Sequence, residues 1–511
     1  MRISPARALA AILLLACVPA FAQDLAAFEK KVTVKKLPNG LTFIVIQRPE
    51  APVFSFTTLV DSGSVQDPKD KTGLAHMFEH MAFKGTDKIG TTDYAKEKVA
   101  LENVEKAYSA YDAEREKRIG RDPKKLEELE KAWKDAIAEA DKYVKRNEFG
   151  QIVEANGGED LNAFTNYDET AYQYSLPANR VQLWAYLESQ RFLHPVMREF
   201  YKERDVVIEE RRMRTDSQPI GRLVEQFLEA AFVTFPYHRP TVGWYSDLTA
   251  FSATDALNFF HAHYIPANMV VAIAGDVDPA QVMPLADKYF GQLPATPKPE
   301  PMATEEPPQN SERQVILREA TQPFYIEGYH RPDYRDPDDA VYDAITDLMS
   351  SGRTSRLYRA LVRDKKIAAD AAGFSGFPGS KYQHLFAFYA VPVPGHTPDE
   401  LRDAIRGEIE RLRTQDVSDE ELQMVKTRAK AALIRSLADN GGLAFQIALF
   451  QTRYGDWREL FRSVDRIDKV TKADIRRVAN QTFVSTNRTV GIIENAPAKP
   501  GAAPKQEGEQ Q

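Results

Sequence analysis

The segment GLAHMFEHMAFKG, residues 73–85, gathers His76, Glu79 and His80 within a turn and a half, in a chain with nine histidines among 511 residues. On an α-helix, positions i, i+3 and i+4 share a face, so the spacing predicts two imidazoles and a carboxylate on one side. Leu74, Phe78 and Met81 then fall on the opposite side, an apolar stripe to be packed into a core. Paired imidazoles beside a carboxylate are metal-ligand chemistry. A hydrolytic zinc site takes three protein groups and leaves a fourth position for water, so a third ligand has to come from elsewhere in the chain.

The segment EFYKERDVVIEERRMR, residues 199–214, reads as a second helix. Glu203 and Glu210 are seven residues apart and share a face with Val206 and Val207 between them, a stripe expected to turn inward. Glu209 lies about 100° round from Glu210 and belongs with the arginines on the wet side. A carboxylate on an inward stripe needs a cation or a proton as its partner. Glu210 is therefore the candidate third ligand, and Glu203 is suited to hydrogen-bond a ligand histidine. The other close pair, His261 and His263 in FFHAHY, would share a face on a strand, but the related positions later in the chain hold Asn480 and Thr482, and we read the pair as structural.

The whole chain sets the context. With 43% hydrophobic and 28% charged residues it has the composition of a soluble globular protein, and its length calls for two or more domains. A net charge of −7 without a long basic patch argues against nucleic acid as a partner. Residues 1–22, MRISPARALAAILLLACVPAFA, have the arginines, short apolar run and Ala-Phe-Ala end of a secretory signal peptide, implying a periplasmic or secreted protein. The rival reading, a lipoprotein anchored through Cys17, fits the residues around that cysteine less well. No later run reaches the length of a transmembrane helix. Cleavage after Ala22 removes the single cysteine, so a metal must be held by nitrogen and oxygen.

The blocks on either side of a Pro- and Glu-rich linker, LPATPKPEPMATEEPPQNSE (residues 293–312), are related. Laying Ser246 on Asp465, an offset of 219, matches Asp255 with Asp474, Tyr264 with Phe483, Asn268 with Asn487, Val271 with Val490 and Ile273 with Ile492. Ser252 and Thr471 are helix-start signals, each followed by a helical pattern and a β-branched run. VTVKKLPNGLTFIVIQR alternates around an Asn39-Gly40 hairpin signal. The expected fold is α+β: two homologous domains, each a mixed or antiparallel sheet flanked by helices. They span residues 31–294 and 313–495, joined by the linker at 295–312, with a disordered tail at 496–511. Residues 95–149 read as a helical-hairpin insertion with solvated faces, broken near Gly120 and Pro123. The second block has no His-x-x-Glu-His; its corresponding region is DAITDLMSSGRTSRLYRAL.

His76-Met-Phe-Glu79-His80 is the inverted zincin motif. Together with ERDVVIEE, GGEDLNAFTNYDETAYQY, FPYHRPTVG and GRTSRLY, it makes nearly the whole mature chain outside the insertion resemble the pitrilysin/insulinase family, which includes the mitochondrial processing peptidase. The resemblance implies one Zn²⁺ per chain on His76, His80 and Glu210, with Glu79 as general base in peptide hydrolysis. It implies that Asn162, Ala163, Phe164 and Thr165 pair with an extended peptide as an added strand. It implies a half-shell that closes with another half into a chamber for peptides or unfolded polypeptides. Active members grip substrate with an arginine and a tyrosine from the last domain of the assembly, yet the strand placed there, QHLFAFYAVPVPG, has no arginine. A homologous partner chain lacking zinc ligands, or a second copy in a homodimer, is then expected to supply them. The competing reading is a non-cleaving peptide- or metal-binding subunit that serves as scaffold to a partner; its marker, a broken ligand set, is missing here.

Overall fold

The computed structural model describes residues 25–496; the expected signal peptide with Cys17 and the tail beyond Ala496 lie outside the described residues. The first half folds β1 (Val32–Lys36), β2 (Thr42–Gln47), β3 (Val53–Val60), β4 (Glu159–Thr165), β5 (Thr170–Pro177) and β6 (Met269–Gly275) into a sheet of order β1-β2-β6-β3-β5-β4. The second half folds β7 (Arg313–Glu319), β8 (Phe324–Arg331), β9 (Ala368–Phe377), β10 (His384–Pro392) and β11 (Arg488–Asn495) into a sheet of order β7-β11-β8-β10-β9. The pairs β2/β6 and β7/β11 are parallel, and the remaining pairs are antiparallel. With β1 set aside, the two sheets have one topology. The β1–β2 turn is the one Asn39-Gly40 predicts: Gly40 takes φ 97°, and Lys36 faces Thr42 across the hairpin.

The helices that position the site or join the halves are α1 (Leu74–Met81), α2 (Tyr94–Arg115), α3 (Pro123–Ala140), α4 (Phe200–Arg211), α5 (Pro219–Ala231), α6 (Ala253–His263), α7 (Asp339–Ser350), α8 (Asp419–Ser436), α9 (Asn440–Tyr454) and α10 (Lys472–Thr482). The duplication extends to individual bonds. α6 and α10 both start on a capping box, Ser252 with Asp255 and Thr471 with Asp474. Asn268 Nδ2 donates to the carbonyls of Asp61 and His263, and Asn487 Nδ2 donates to those of His330 and Thr482.

The halves are more than tethered, because each lends a helix to the other. α5 crosses β7 and β11, burying Leu223, Phe227 and Leu228 with Phe324, Ile326 and Leu385. α9 crosses β3 and β6, burying Leu443, Ala444 and Ile447 with Ile44, Leu59, Ala272 and Ala274. Small residues are required under the crossing helix. A Cβ at position 491 would lie 2.8 Å from Ile326 Cγ2 and 3.2 Å from Phe227 Cδ2, so glycine stands there. Helices on both faces leave the central strands fully buried, which is why β6 is apolar from end to end.

Two expectations change on contact with the fold. Residues 294–312 form neither helix nor strand, yet they are strapped down. Glu306 is buried and accepts from the backbone N–H groups of Val233, Thr234 and Phe235 at 2.9, 3.0 and 2.9 Å. The 95–149 insertion is a helical hairpin, α2 and α3, but one side of it is core rather than solvated surface. Val104, Tyr108 and Trp133 join the first hydrophobic core, and Glu97 of α2 holds Arg198 in a buried pair at 2.7 and 2.9 Å. Among the described residues no helix is long and apolar enough to cross a membrane.

Candidate metal and catalytic site

α1 is set by its N-terminus. Asp67 caps it, accepting from Gly73 N at 2.7 Å and from Ala75 N at 2.8 Å. Burial lifts the Asp67 carboxyl to about 7 against those two bonds. Gly73 has φ 96°, and a Cβ there would lie 2.8 Å from the Val242 carbonyl oxygen. Leu74, Met77, Phe78 and Met81 are buried in the first core, with Phe78 stacked on Phe260 at 4.8 Å between ring centroids. That burial turns His76, Glu79 and His80 toward α4, as the spacing predicts.

α4 brings Glu210 to both imidazoles. Glu210 Oε2 lies 3.6 Å from His76 Nε2, and Glu210 Oε1 lies 3.7 Å from His80 Nε2. One donor atom from each of the three residues falls within 4.8 Å of the others, and among the described residues no other cluster of three potential ligands does so. Glu210 Oε2 is buried yet has no hydrogen-bond partner. Tetrahedral zinc with bonds of about 2.0–2.2 Å separates its ligand atoms by roughly 3.3–3.6 Å. Two imidazoles and a half-buried carboxylate at this separation fit a cation between them. Zinc would be held by His76, His80 and Glu210.

Charge around the site is graded. Burial lowers His76 to about 3, aided by His80 and Arg214, so its imidazole is neutral. Burial also pulls His80 down, but the carboxylates of Glu203, Glu210 and Glu79 outweigh it and hold its pKa above the ordinary value. His80 Nδ1 faces Glu203 Oε2 at 3.4 Å. Glu203 pairs in turn with Lys84, and although burial raises it, His80 and Lys84 bring it below its usual range. Glu79 is raised by burial, with a hydrogen bond from the Thr165 side chain and the charge on His80 working the other way. Glu79 is thus a carboxylate of raised basicity beside the three candidate ligands.

Most residues singled out from the sequence converge here, with some differences. Val207 is buried between Glu203 and Glu210, but Val206 is 45% exposed. The buried stripe of α4 runs instead through Phe200, Tyr201, Arg204, Val207 and Arg211, because Arg204 stacks its guanidinium on Tyr108, Trp133 and Tyr201. Glu209 is exposed and paired with Arg212 at 2.9 Å, on the wet side as expected. Asn162, Ala163, Phe164 and Thr165 lie on β4, the edge of the first sheet, bonded only to β5. His261 and His263 sit on α6 rather than a strand, two apart and so on different faces. Lys84, Arg214 and Asp67 escaped the sequence reading. Of these Lys84, four residues beyond His80, and Arg214, four beyond Glu210, carried a signal in their spacing.

The second half shows what the same helices do without histidines. β8 is β3 displaced by 271 positions, laying Val53 on Phe324, and the same offset lays His76 on Asp347, Glu79 on Ser350 and His80 on Ser351. There α8 supplies Arg428, which grips Asp347 of α7 at 2.6 and 2.8 Å. A salt bridge joins the helices at the place of the candidate metal. The strand QHLFAFYAVPVPG is β10, an inner strand; β9 holds the edge position that β4 has in the first sheet.

Comparison with known proteins bears on this arrangement. A family model described as Insulinase (Peptidase family M16) matches residues 42–115 and 136–243, and one described as Peptidase M16 inactive domain matches residues 250–429. The zinc protease PqqE of Helicobacter pylori is 27% identical over 485 residues, covering 93% of this chain and 94% of that protein. Among solved structures, a protease from Helicobacter pylori is similar with a TM-score of 0.76 at 25% identity, over 91% of this chain and 99% of that one. The periplasmic protease PqqL from Escherichia coli shares the fold, with a TM-score of 0.66 at 19% identity, over 91% of this chain but 48% of its own.

Proposed function

The chain belongs to the insulinase (M16) peptidase family, and on that premise we propose that it is a zinc-dependent endopeptidase of peptides or unfolded polypeptides. The observation that supports this most is the convergence of His76, His80 and Glu210 with Glu79 beside them. Zinc bound by these residues would acidify a water toward a pKa of about 7 and polarise a scissile carbonyl.

The chain's own groups account for the rest. Glu79 takes the proton of the attacking water and hands it to the leaving amine. The Thr165 side chain favours the charged form of Glu79, against the effect of burial. Glu203 accepts from His80 Nδ1–H, which leaves the Nε2 lone pair facing Glu210 and His76. The outer edge of β4 has no strand beside it, so the backbone of Asn162, Ala163, Phe164 and Thr165 can hold an extended substrate as an added strand. That mode selects unfolded chains over folded ones.

The intact ligand set favours cleavage over a scaffold role. The apolar N-terminal run supports a periplasmic or secreted location. A chain matching about half of the Escherichia coli protease's length supports assembly with a second half-shell, either a homologous partner lacking zinc ligands or a second copy. The test is cleavage of unstructured peptides by the purified chain, alone and with such a partner. Cleavage lost to chelator and to Glu79→Gln is expected. A rate unchanged in Glu79→Gln overturns the proposal.

A further inference from the structure

A cleft opens between the halves on the face of the first sheet that is turned away from the candidate metal site. α1 lies over β4 on one face, where Ala163 packs on the first core. Asn162 and Phe164 alternate with Ala163 and point to the other face, where Phe164 meets Phe445 of α9 at 5.7 Å between ring centroids. α9 covers β3 and β6, but toward the sheet edge it leaves a cavity of about 900 Å³. Ser55 of β3, Gln173 of β5 and Asn162 of β4 line the cavity from the sheet, and Gly441 and Phe445 line it from α9. The carboxylates of Glu50, Asp160 and Asp439 also line it, against the single guanidinium of Arg48. Arg48 donates to the carbonyl oxygens of Leu437 and Ala438 at 3.2 and 3.0 Å, so its terminal nitrogens are turned to the backbone. Asp160 sits where the β4–β5 register shifts, with φ 57°.

We infer that this cleft is a specificity subsite of the reaction proposed above: it takes the substrate side chains that point away from the metal, and it selects lysine or arginine among them. This rests on the endopeptidase reading and on β4 as the strand that holds substrate, and it adds a substrate preference built in part by the half that has no zinc ligands. An extended peptide paired to the free edge of β4 alternates its side chains between the two faces. A residue beside Asn162 or Phe164 therefore sends its side chain into the cleft. The rings of Phe164 and Phe445 suit an aliphatic stem and attract a cation at its end. Three carboxylates against one guanidinium leave a net charge of −2 on the lining, which complements a cation and repels an acidic side chain. The space depends on glycine at the start of α9. A Cβ on Gly441 would lie 4.0 Å from Ser55 Cβ, so a larger side chain there would fill the gap between helix and sheet.

Unstructured peptides in which one variable residue is moved along a constant sequence test this with the full-length, zinc-loaded chain and its partner. The variable residue is lysine, norleucine, alanine or glutamate. At positions two apart, kcat/KM is expected to be about threefold to tenfold higher for lysine than for norleucine, which has the stem without the charge, and lowest for glutamate. Asp160→Asn keeps a residue that accepts φ 57° and is expected to cut the lysine-to-norleucine ratio about two- to threefold. Gly441→Leu is expected to lower kcat/KM at least about tenfold more for the lysine peptide than for the alanine peptide. Glu50→Gln repeats the charge comparison if Asp160→Asn does not fold. Cleavage that shows no lysine preference at any position, that prefers norleucine, or whose ratios are unchanged in these variants overturns the inference and leaves the endopeptidase reading standing. A wild-type chain that cleaves none of the peptides with zinc and partner overturns both.

Discussion

His76 and Asp347 stand at one position of the duplicated fold, and each ties the same two helices together by different chemistry. In the first half His76 faces Glu210 at 3.6 Å, where a cation would join them; in the second Asp347 pairs with Arg428 directly. The first is expected to respond to zinc and the second to be indifferent to it. Saturating zinc at about 1,000 times Kd should add about 4 kcal/mol of stability, seen as a rise in Tm that chelator reverses. Asp347→Ala should cost about 1–3 kcal/mol, since the pair is only partly buried, and leave the zinc-induced rise intact. A variant that loses that rise would show that the two ties are not independent.

Glu79 and Glu210 are both carboxylates at the site, but their substitutions should fail in different ways. Glu79→Gln keeps the ligand set and loses the proton acceptor. Zinc content should stay near one per chain while kcat falls about 10²- to 10⁴-fold. Glu210→Gln removes an anionic ligand from a site whose two other donors are neutral imidazoles when bound. Zinc should be lost at concentrations that saturate wild type. Metal analysis after dialysis, alongside activity, separates the two.

Glu203 holds His80 by its far nitrogen and is itself held by Lys84. Glu203→Ala should therefore weaken zinc binding about 10- to 100-fold without abolishing it. Competition against a chelator of known affinity measures this. An affinity equal to wild type would mean that the carboxylate does not orient the imidazole.

Where the sequence could be read and where it could not follows from the range of each interaction. His76, Glu79 and His80 lie within one turn and a half, and the i, i+3, i+4 rule places them without knowledge of the fold. Glu210 was legible because a carboxylate seven residues from another on one helical face needs a partner. The duplication was legible because capping boxes and β-branched runs recur at a fixed offset. The inward stripe of α4 was misjudged at Val206, since three aromatic rings, one each from α2, α3 and α4, draw Arg204 inward. The exchange of α5 and α9 was not legible at all. Their apolar faces fit their own domains equally well in pattern, and only Gly491 and Ala272 beneath them hint at a close approach.

That exchange makes the halves unfold together. Phe227 of α5 is fully buried against the second sheet, so Phe227→Ala should cost about 3–5 kcal/mol although it lies in the first half. Urea unfolding followed at Trp184 of the first half and Trp457 of the second should give coincident transitions, both shifted by the substitution. Transitions that separate in wild type would mean that each half is stable without the borrowed helix.

Acid should destabilise the chain through histidines that the fold keeps neutral. His384, at the start of β10, is buried and paired through Nδ1 with the Tyr382 carbonyl oxygen at 2.8 Å. Burial, with Arg331 nearby, lowers its pKa to about 3, and burial lowers His263 to about 4. In the unfolded chain both protonate near the ordinary value of about 6.5. Below that pH the unfolded state binds the extra proton and the folded state does not, so stability is complete above about 6.5 and falls as the pH drops toward 3. His384→Asn retains an N–H donor for Tyr382 and removes one such proton. Its stability should fall less steeply with acid than that of wild type, by about 1.4 kcal/mol per pH unit between pH 6 and pH 4. Urea titrations across that range measure the slopes. Parallel slopes would mean that His384 protonates within the folded chain as easily as in the unfolded one.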